Sequence, residues 1–504
     1  MAELKLSRIN KKPFVIAFFY ALITIFAVFH HEIWADEAQV WMLTKYISLP
    51  ELFPHLVNEG HPPFFYLIVM PFAKLFNNII WMQLICWFSS VLAIFLLWNN
   101  SKFSSLTKTV ITLSAPFIYF FPTIARSYSI IPLLVFLLAI FHNKTNKHPY
   151  IYSFLLIALT HTHVIMAMLT FVLYIRFLYL NIYIPYKNKE KQNKHFIISA
   201  ILIFLAFFGL LIQLIGTTSS NVYINFKDDD KVAALARIIF AFIFGSMDAY
   251  YIKSHATYFN PFTISYCLIF ALTFISMFIG LYKNNKKLFL ICTISSLFQI
   301  LIYLTAYNQL VLPTRIFSMY AIIIFAFWVL FDENNFRENS FFTKKKNIAA
   351  IFTLFFALMI LNGIKSYYAD IVFDYSGSKK MAQFIKNNYA DKNPIIFTDA
   401  TNIMVAINYY LDPKHNLYWV KTGKPYKYVI WLKDIIPSFR EENWEFYLQN
   451  VRLVDKKSPL FVIVCYDAFW DKNRNLEWKN FDLVYVTGDS LEYFEKFRLY
   501  KYKY

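Results

Sequence analysis

Long apolar runs broken by short polar turns fill the chain from its start to about Lys365, after which the pattern changes. Runs long enough to cross a hydrocarbon layer of about 30 Å fall near 13–30, 79–98, 109–124, 127–142, 150–163, 164–182, 196–215, 261–282, 288–306, 315–331 and 348–365. Two further stretches are ambiguous: 62–77, interrupted by Pro71 and Lys74, and 231–247, which carries Arg237. Eleven spans result if both lie at the interface and thirteen if both cross. Beyond Ser378 the spacing becomes that of a soluble α/β domain. Lys380–Lys386, Ile403–Leu411 and Glu441–Val451 have helical spacing. Pro394–Asp399, Tyr428–Leu432, Pro459–Cys465 and Leu483–Val486 read as short strands of a largely parallel sheet. The fold class is therefore a polytopic α-helical membrane protein of about 11–13 transmembrane helices, with a C-terminal α/β domain. The expected boundaries are 1–365 and 366–504, with a first outer loop at 31–61.

Composition agrees. Of 504 residues, 58% are hydrophobic and 16% charged, and 56 Phe and 36 Tyr supply an aromatic content suited to membrane interfaces. Nine glycines exclude collagen-like and glycine-rich nucleotide-binding chains, and four cysteines exclude a disulfide scaffold. The net charge of +18 is no footprint for nucleic acid. Residues 1–365 hold 29 basic and 14 acidic side chains, the basic ones clustered in short loops, whereas 366–504 hold 20 and 17. Basic clusters mark cytoplasmic loops. Lys5, Arg8, Lys11 and Lys12, the loop 187–194, the loop 283–287 and Lys344–Lys346 all fall on one side with eleven spans. The N-terminus is then cytoplasmic and the C-terminal domain extracytoplasmic. No cleavage signal follows the first span, where His30, His31 and Glu32 stand.

On this topology the polar segments collect on the outer face. The first outer loop carries the carboxylate pair Asp36-Glu37 between Trp34 and Trp41, and returns to the membrane through Gly60-His61-Pro62-Pro63. Tryptophans at both flanks would hold the pair at headgroup depth, where partial desolvation makes a carboxylate a better proton acceptor. Arg126 and Arg315 stand at span edges, where an arginine either meets an anion or snorkels to headgroups. His161 and His163, two apart, share no helical face and form a polar break between spans. Asp228–Asp230 reads as the solvated start of a helix. Asp399 and Asp467 end strands of the C-terminal sheet and read as structural, and Cys465 has no partner within that domain. No Gly-x-Gly-x-x-Gly, His-Glu-x-x-His or Cys-x-x-Cys occurs. No cofactor is expected; a divalent cation, for which Asp228–Asp230 would be the alternative reading, stays open but is not indicated.

An Asp-Glu pair directly after span one, closed by a His-Pro-Pro turn, resembles the GT-C membrane glycosyltransferases, in particular the bacterial branch of protein O-mannosyltransferases and aminoarabinose transferases. Ala125-Arg126-Ser127-Tyr128 resembles their Ala-Arg-x-Tyr signature, Thr160-His161-Thr162-His163 their Thr-His motif, and Leu312-Pro313-Thr314-Arg315 their Pro-Arg-Tyr segment, with Ile316 in place of Tyr. The resemblance implies an inverting transferase moving a sugar from a polyprenyl-phosphate donor to a lipid, glycan or protein acceptor outside the inner membrane. It implies Asp36 as catalytic carboxylate, Glu37 as its partner, and His61, Arg126, Tyr128, His163 and Arg315 as contacts to the carrier phosphate or substrate. His61 stands where the aminoarabinose branch has Lys. The rival class is a lipid-linked glycan flippase without chemistry of its own, which would carry its charges at the membrane midplane and an internal repeat; neither is visible here.

Overall fold

Helix dominates because the chain offers apolar stretches with few glycines and because a membrane leaves backbone groups no other way to be satisfied. A computed structural model describes residues 11–219, 231–244, 261–305, 313–398, 401–411, 417–420, 422–430, 458–465, 481–492 and 495–503. Among these, eight helices are long and apolar enough to cross a membrane: Lys12–His30, Ile80–Asn100, Val164–Lys187, Lys194–Leu214, Ile264–Asn284, Lys286–Thr305, Arg315–Glu333 and Lys345–Val372. Three shorter apolar helices are Phe64–Leu75, Ser127–Phe141 and Pro149–Thr160. The protein is thus polytopic and helical, with a small C-terminal sheet.

The span expected at 109–124 is broken. A helix Ser105–Leu113 ends where Ser114 turns extended, and Pro116–Phe120 continues as a wide turn into Phe121–Thr123. Pro116 and Pro122 remove two backbone donors from this stretch. The ambiguous stretch 62–77 forms the twelve-residue helix Phe64–Leu75, and 231–247 is helical over Lys231–Phe244.

Two units divide the chain. One comprises 1–29, 83–214 and 223–367; the other comprises 30–82, 215–222 and 368–504. Within the first, Arg315–Glu333 is 89% buried, against 28–44% for the other spans outside it, so it is the helix the others surround. The second gathers the first polar segment with the C-terminal residues.

In that second unit a six-stranded sheet has the order β3-β2-β1-β4-β6-β5, from β1 (Ile395–Thr398), β2 (Leu417–Trp419), β3 (Lys424–Tyr426), β4 (Leu460–Cys465), β5 (Phe481–Val486) and β6 (Phe497–Tyr502). Alternation along β4 splits its side chains between two cores. Phe461, Ile463 and Cys465 face Met381 and Ile385 of the helix Ser378–Tyr389 and Met404 and Ile407 of the helix Thr401–Tyr410. Leu460, Val462 and Val464 face Phe397, Val420 and Phe481.

Two expectations are corrected here. The sheet is mixed: β1 pairs in parallel with β2 and β4, but β2–β3, β4–β6 and β5–β6 are antiparallel. The final strand β6, entered between β4 and β5, accounts for two of these pairs, and the consecutive strands β2 and β3 for the third. Tyr428–Ile430 is not a strand, because the peptide of Val429 is engaged by a side chain: its N–H donates to Gln39 Oε1 at 2.8 Å and its carbonyl accepts from Gln39 Nε2 at 3.1 Å. Asp399, Asp467, Asp228–Asp230 and the helix at 441–451 lie outside the described residues.

Candidate functional site

Asp36 and Glu37 occupy the first turn of the helix Ala35–Tyr46, where acidic side chains favour the helix dipole. Trp34 at its N-cap contributes no side-chain bond. The cap comes from 460 residues away: Glu495 Oε1 accepts the Ala35 N–H at 2.6 Å, and the same carboxylate takes the hydroxyls of Ser376 and Ser378. The Ile33 N–H donates to the Tyr410 hydroxyl at 2.7 Å. Trp34 and Trp41, expected at the lipid interface, are instead inside the second unit, 6% and 0% exposed. Trp34 lies against the Tyr375 ring, with centroids 6.3 Å apart. Protein packing rather than headgroups holds the carboxylate pair.

The two acids have different surroundings. Asp36 is half-buried. Glu37 is fully buried, with its Oε2 at 3.1 Å from His31 Nε2. The opposite ring nitrogen, Nδ1, lies 2.8 Å from Asp370 Oδ2 in the last turn of the helix Ile360–Val372. The Tyr375 ring meets the His31 ring edge-on at 4.3 Å. Burial alone would lower the basicity of His31, but the charges of Asp370 and then Glu37 outweigh it and push its pKa up to about 10. Asp370 was not singled out from the sequence. Its signal was an acid at the end of the last apolar run, matched by a histidine at the end of the first.

His61 follows in the same unit. Gly60 takes φ 71° to end the helix Leu49–Glu59, a left-handed conformation that suits glycine. Gln39 Nε2 donates to the buried Glu59 carboxylate at 2.7 Å, tying this turn to the helix of Asp36. His61 is half-buried and Pro62 buried.

Arg126, Tyr128, His163 and Arg315 come together within the first unit, from three separated places in the sequence. Arg315 Nε donates to the Tyr128 hydroxyl at 3.1 Å, and the Arg126 guanidinium carbon lies 6.0 Å from the centroid of the same ring. The His163 ring is 5.0 Å from that of Tyr128. Exposures of 4% for Arg126, 2% for Tyr128, 0% for His163 and 6% for Arg315 exclude snorkelling to headgroups. Each is held by backbone contacts. The Arg315 carbonyl accepts from Tyr303 Oη at 2.6 Å and Ser318 Oγ at 2.7 Å, and His163 Nδ1 accepts the Ile165 N–H at 3.3 Å. His161 turns elsewhere, its Nε2 at 3.0 Å from the Ala206 carbonyl, so the two histidines serve different neighbours.

Chemically, the first cluster is two guanidinium groups around a phenol and an imidazole, a donor set suited to phosphate. The second sets the half-buried Asp36 next in sequence to Glu37, which is ion-paired with the His31 imidazole. Glu37 and Asp370 meet opposite nitrogens of that ring, so these three groups do not converge on a point. Among the described residues no group of three or more His, Cys, Asp or Glu is placed to hold a metal ion.

No family model and no curated protein matches the chain. Among solved structures it is similar to ArnT from Cupriavidus metallidurans in the apo state, with 12% sequence identity, a TM-score of 0.46 and 97% of each chain covered.

Proposed function

We propose that the protein is an inverting glycosyltransferase that moves a sugar from a polyprenyl-phosphate carrier to a lipid, glycan or protein acceptor at the outer face of a bacterial inner membrane. The observation that carries this reading is the assembly of Arg126 and Arg315 on Tyr128, 187 residues from Arg315 in sequence, in the interior of a membrane-spanning unit. Guanidinium groups gathered at such a place suit the bidentate recognition of a phosphate. A carrier phosphate supplies that anion without any nucleotide-binding motif.

In this reading an acceptor oxygen attacks the anomeric carbon from the face opposite the carrier. The bond to the acceptor forms as the bond from the anomeric carbon to the carrier oxygen breaks, and the electron pair leaves on polyprenyl phosphate. Arg126 and Arg315 stabilise that charge, the contribution that is usually largest. Asp36, the half-buried member of the acidic pair, receives the acceptor's proton. His61 serves the carrier or the sugar.

Release of polyprenyl phosphate from a panel of polyprenyl-phosphate sugars, followed by mass spectrometry with purified protein and an envelope extract as acceptor, tests the reading. Asp36→Asn should lower turnover by about 10²–10⁴-fold while donor binding persists. Equal turnover in this variant removes Asp36 as the base, and no release from any donor removes the transferase.

A further inference from the structure

The imidazole of His31 lies at the end of the first membrane helix, one residue from the last position of Lys12–His30. It is 6% exposed, and each ring nitrogen faces a carboxylate: Asp370 at 2.8 Å and Glu37 at 3.1 Å. A neutral imidazole donates from one nitrogen and accepts at the other, whereas an ionised carboxylate only accepts. Two carboxylates on opposite nitrogens therefore require hydrogens on both, which makes the ring an imidazolium. The other charged and titratable groups around it are Glu32, next in sequence, and the phenol of Tyr375, itself near Glu492 and Glu495. Glu32 in turn meets the Lys379 ammonium at 3.6 Å, so the carboxylates that face the imidazole ring itself are Asp370 and Glu37.

The consequence falls on Asp36. Glu37 is its neighbour in the first helical turn, and the bridge through His31 ties that turn to the end of Ile360–Val372. With the Glu495 cap on Ala35, the helix start is held from two directions. We propose that His31 is a positioning residue: by bridging Asp370 and Glu37 it fixes the first turn of the helix Ala35–Tyr46 and with it the direction of the Asp36 carboxylate, and this rests on the transferase reading given above. Glu37 is then the anchor of the pair, and Asp36 the member that meets substrate.

The test uses the full-length protein in lipid nanodiscs, with His31→Gln, which keeps hydrogen bonding but not charge, and Asp370→Asn, which keeps shape. Both should lower kcat for carrier release by about 100-fold, the scale of a 1 Å misplacement, with KM for the donor changed by less than about twofold. Amide exchange should quicken over 33–46 and stay unchanged in 460–465. Wild-type kcat in a folded His31→Gln protein, or a raised KM at unchanged kcat, overturns the proposal. Should the wild type release no carrier, the transferase reading fails by itself. Exchange over 33–46 then decides the bridge: faster exchange in the variants supports it, unchanged exchange removes it.

Discussion

The two clusters handle buried charge in opposite ways. In the second unit His31 sits between Asp370 and Glu37, so each charge there meets its opposite within about hydrogen-bond distance. In the first unit the charges that come together are alike: Arg126 and Arg315 share Tyr128, a neutral phenol, with His163 beside it. A compensated group is a structural element that holds its neighbours in register. Two guanidinium groups brought to one phenol form a donor set suited to a phosphate. The difference separates the residue that holds the carboxylate helix from those that meet the carrier.

The largest effect that could break this comparison comes from the cationic cluster. Arg315→Ala and Arg126→Ala should each lower carrier release by about 10²–10³-fold, the loss typical of one charge-stabilising group, with little loss of thermal stability. A large drop in Tm with unchanged turnover would make these arginines structural. In the compensated cluster the ordering reverses. Asp370→Ala leaves a buried imidazolium with one partner and should cost about 3–5 kcal/mol, read as a lowered unfolding midpoint in detergent. A double-mutant cycle with His31→Ala should recover part of that loss, since the second change removes the stranded charge.

A pH scan sharpens the same point. The folded-state pKa of His31 lies at about 10, above its ordinary value of 6.5, so its contribution to stability is complete below 6.5 and is lost as pH rises toward 10. Glu495, whose carboxyl burial raises well above the usual range, works in the same direction from a lower start. The wild-type Tm should fall between pH 7 and 10, and the His31→Gln curve should be flatter over that window. A smaller effect belongs to the amide clamp. Gln39→Leu leaves the Val429 peptide and the Glu59 carboxylate short of partners and should cost about 1–3 kcal/mol. Smallest is Gly60→Ala, at about 1–2 kcal/mol for a left-handed residue with a Cβ.

Much of this was legible along the chain. The apolar runs placed the membrane helices within a few residues, because spans announce themselves by composition alone. The helices at Lys380 and Ile403 and the strands at Pro394, Pro459 and Leu483 were visible as local periodicity. Arg126, Tyr128, His163 and Arg315 were each singled out, but each at its own place. That one phenol joins two of them needed the packing of Arg315–Glu333 inside its unit. The broken stretch at 109–124 was less legible, since its hydropathy is continuous and only Pro116 and Pro122 hint at the interruption.

Where reading failed, long-range contacts had overridden local pattern. Tyr428–Leu432 is apolar enough for a strand, yet Gln39, 390 positions earlier, takes the hydrogen bonds of Val429. Trp34 and Trp41 suit an interface by chemistry, but packing within the second unit buries them, Trp34 against the Tyr375 ring. At one end of the sheet the pairing is antiparallel because β6 returns between β4 and β5, an order no local spacing encodes.

By itself, then, the amino-acid order determined that this is a polytopic helical membrane protein with an α/β C-terminal region, because hydropathy and period are local quantities read against the solvent each segment meets. Which charges are compensated was decided only in three dimensions. His31 and Asp370 stand 339 residues apart, and what a buried ion meets depends on what the fold brings within hydrogen-bond distance of it.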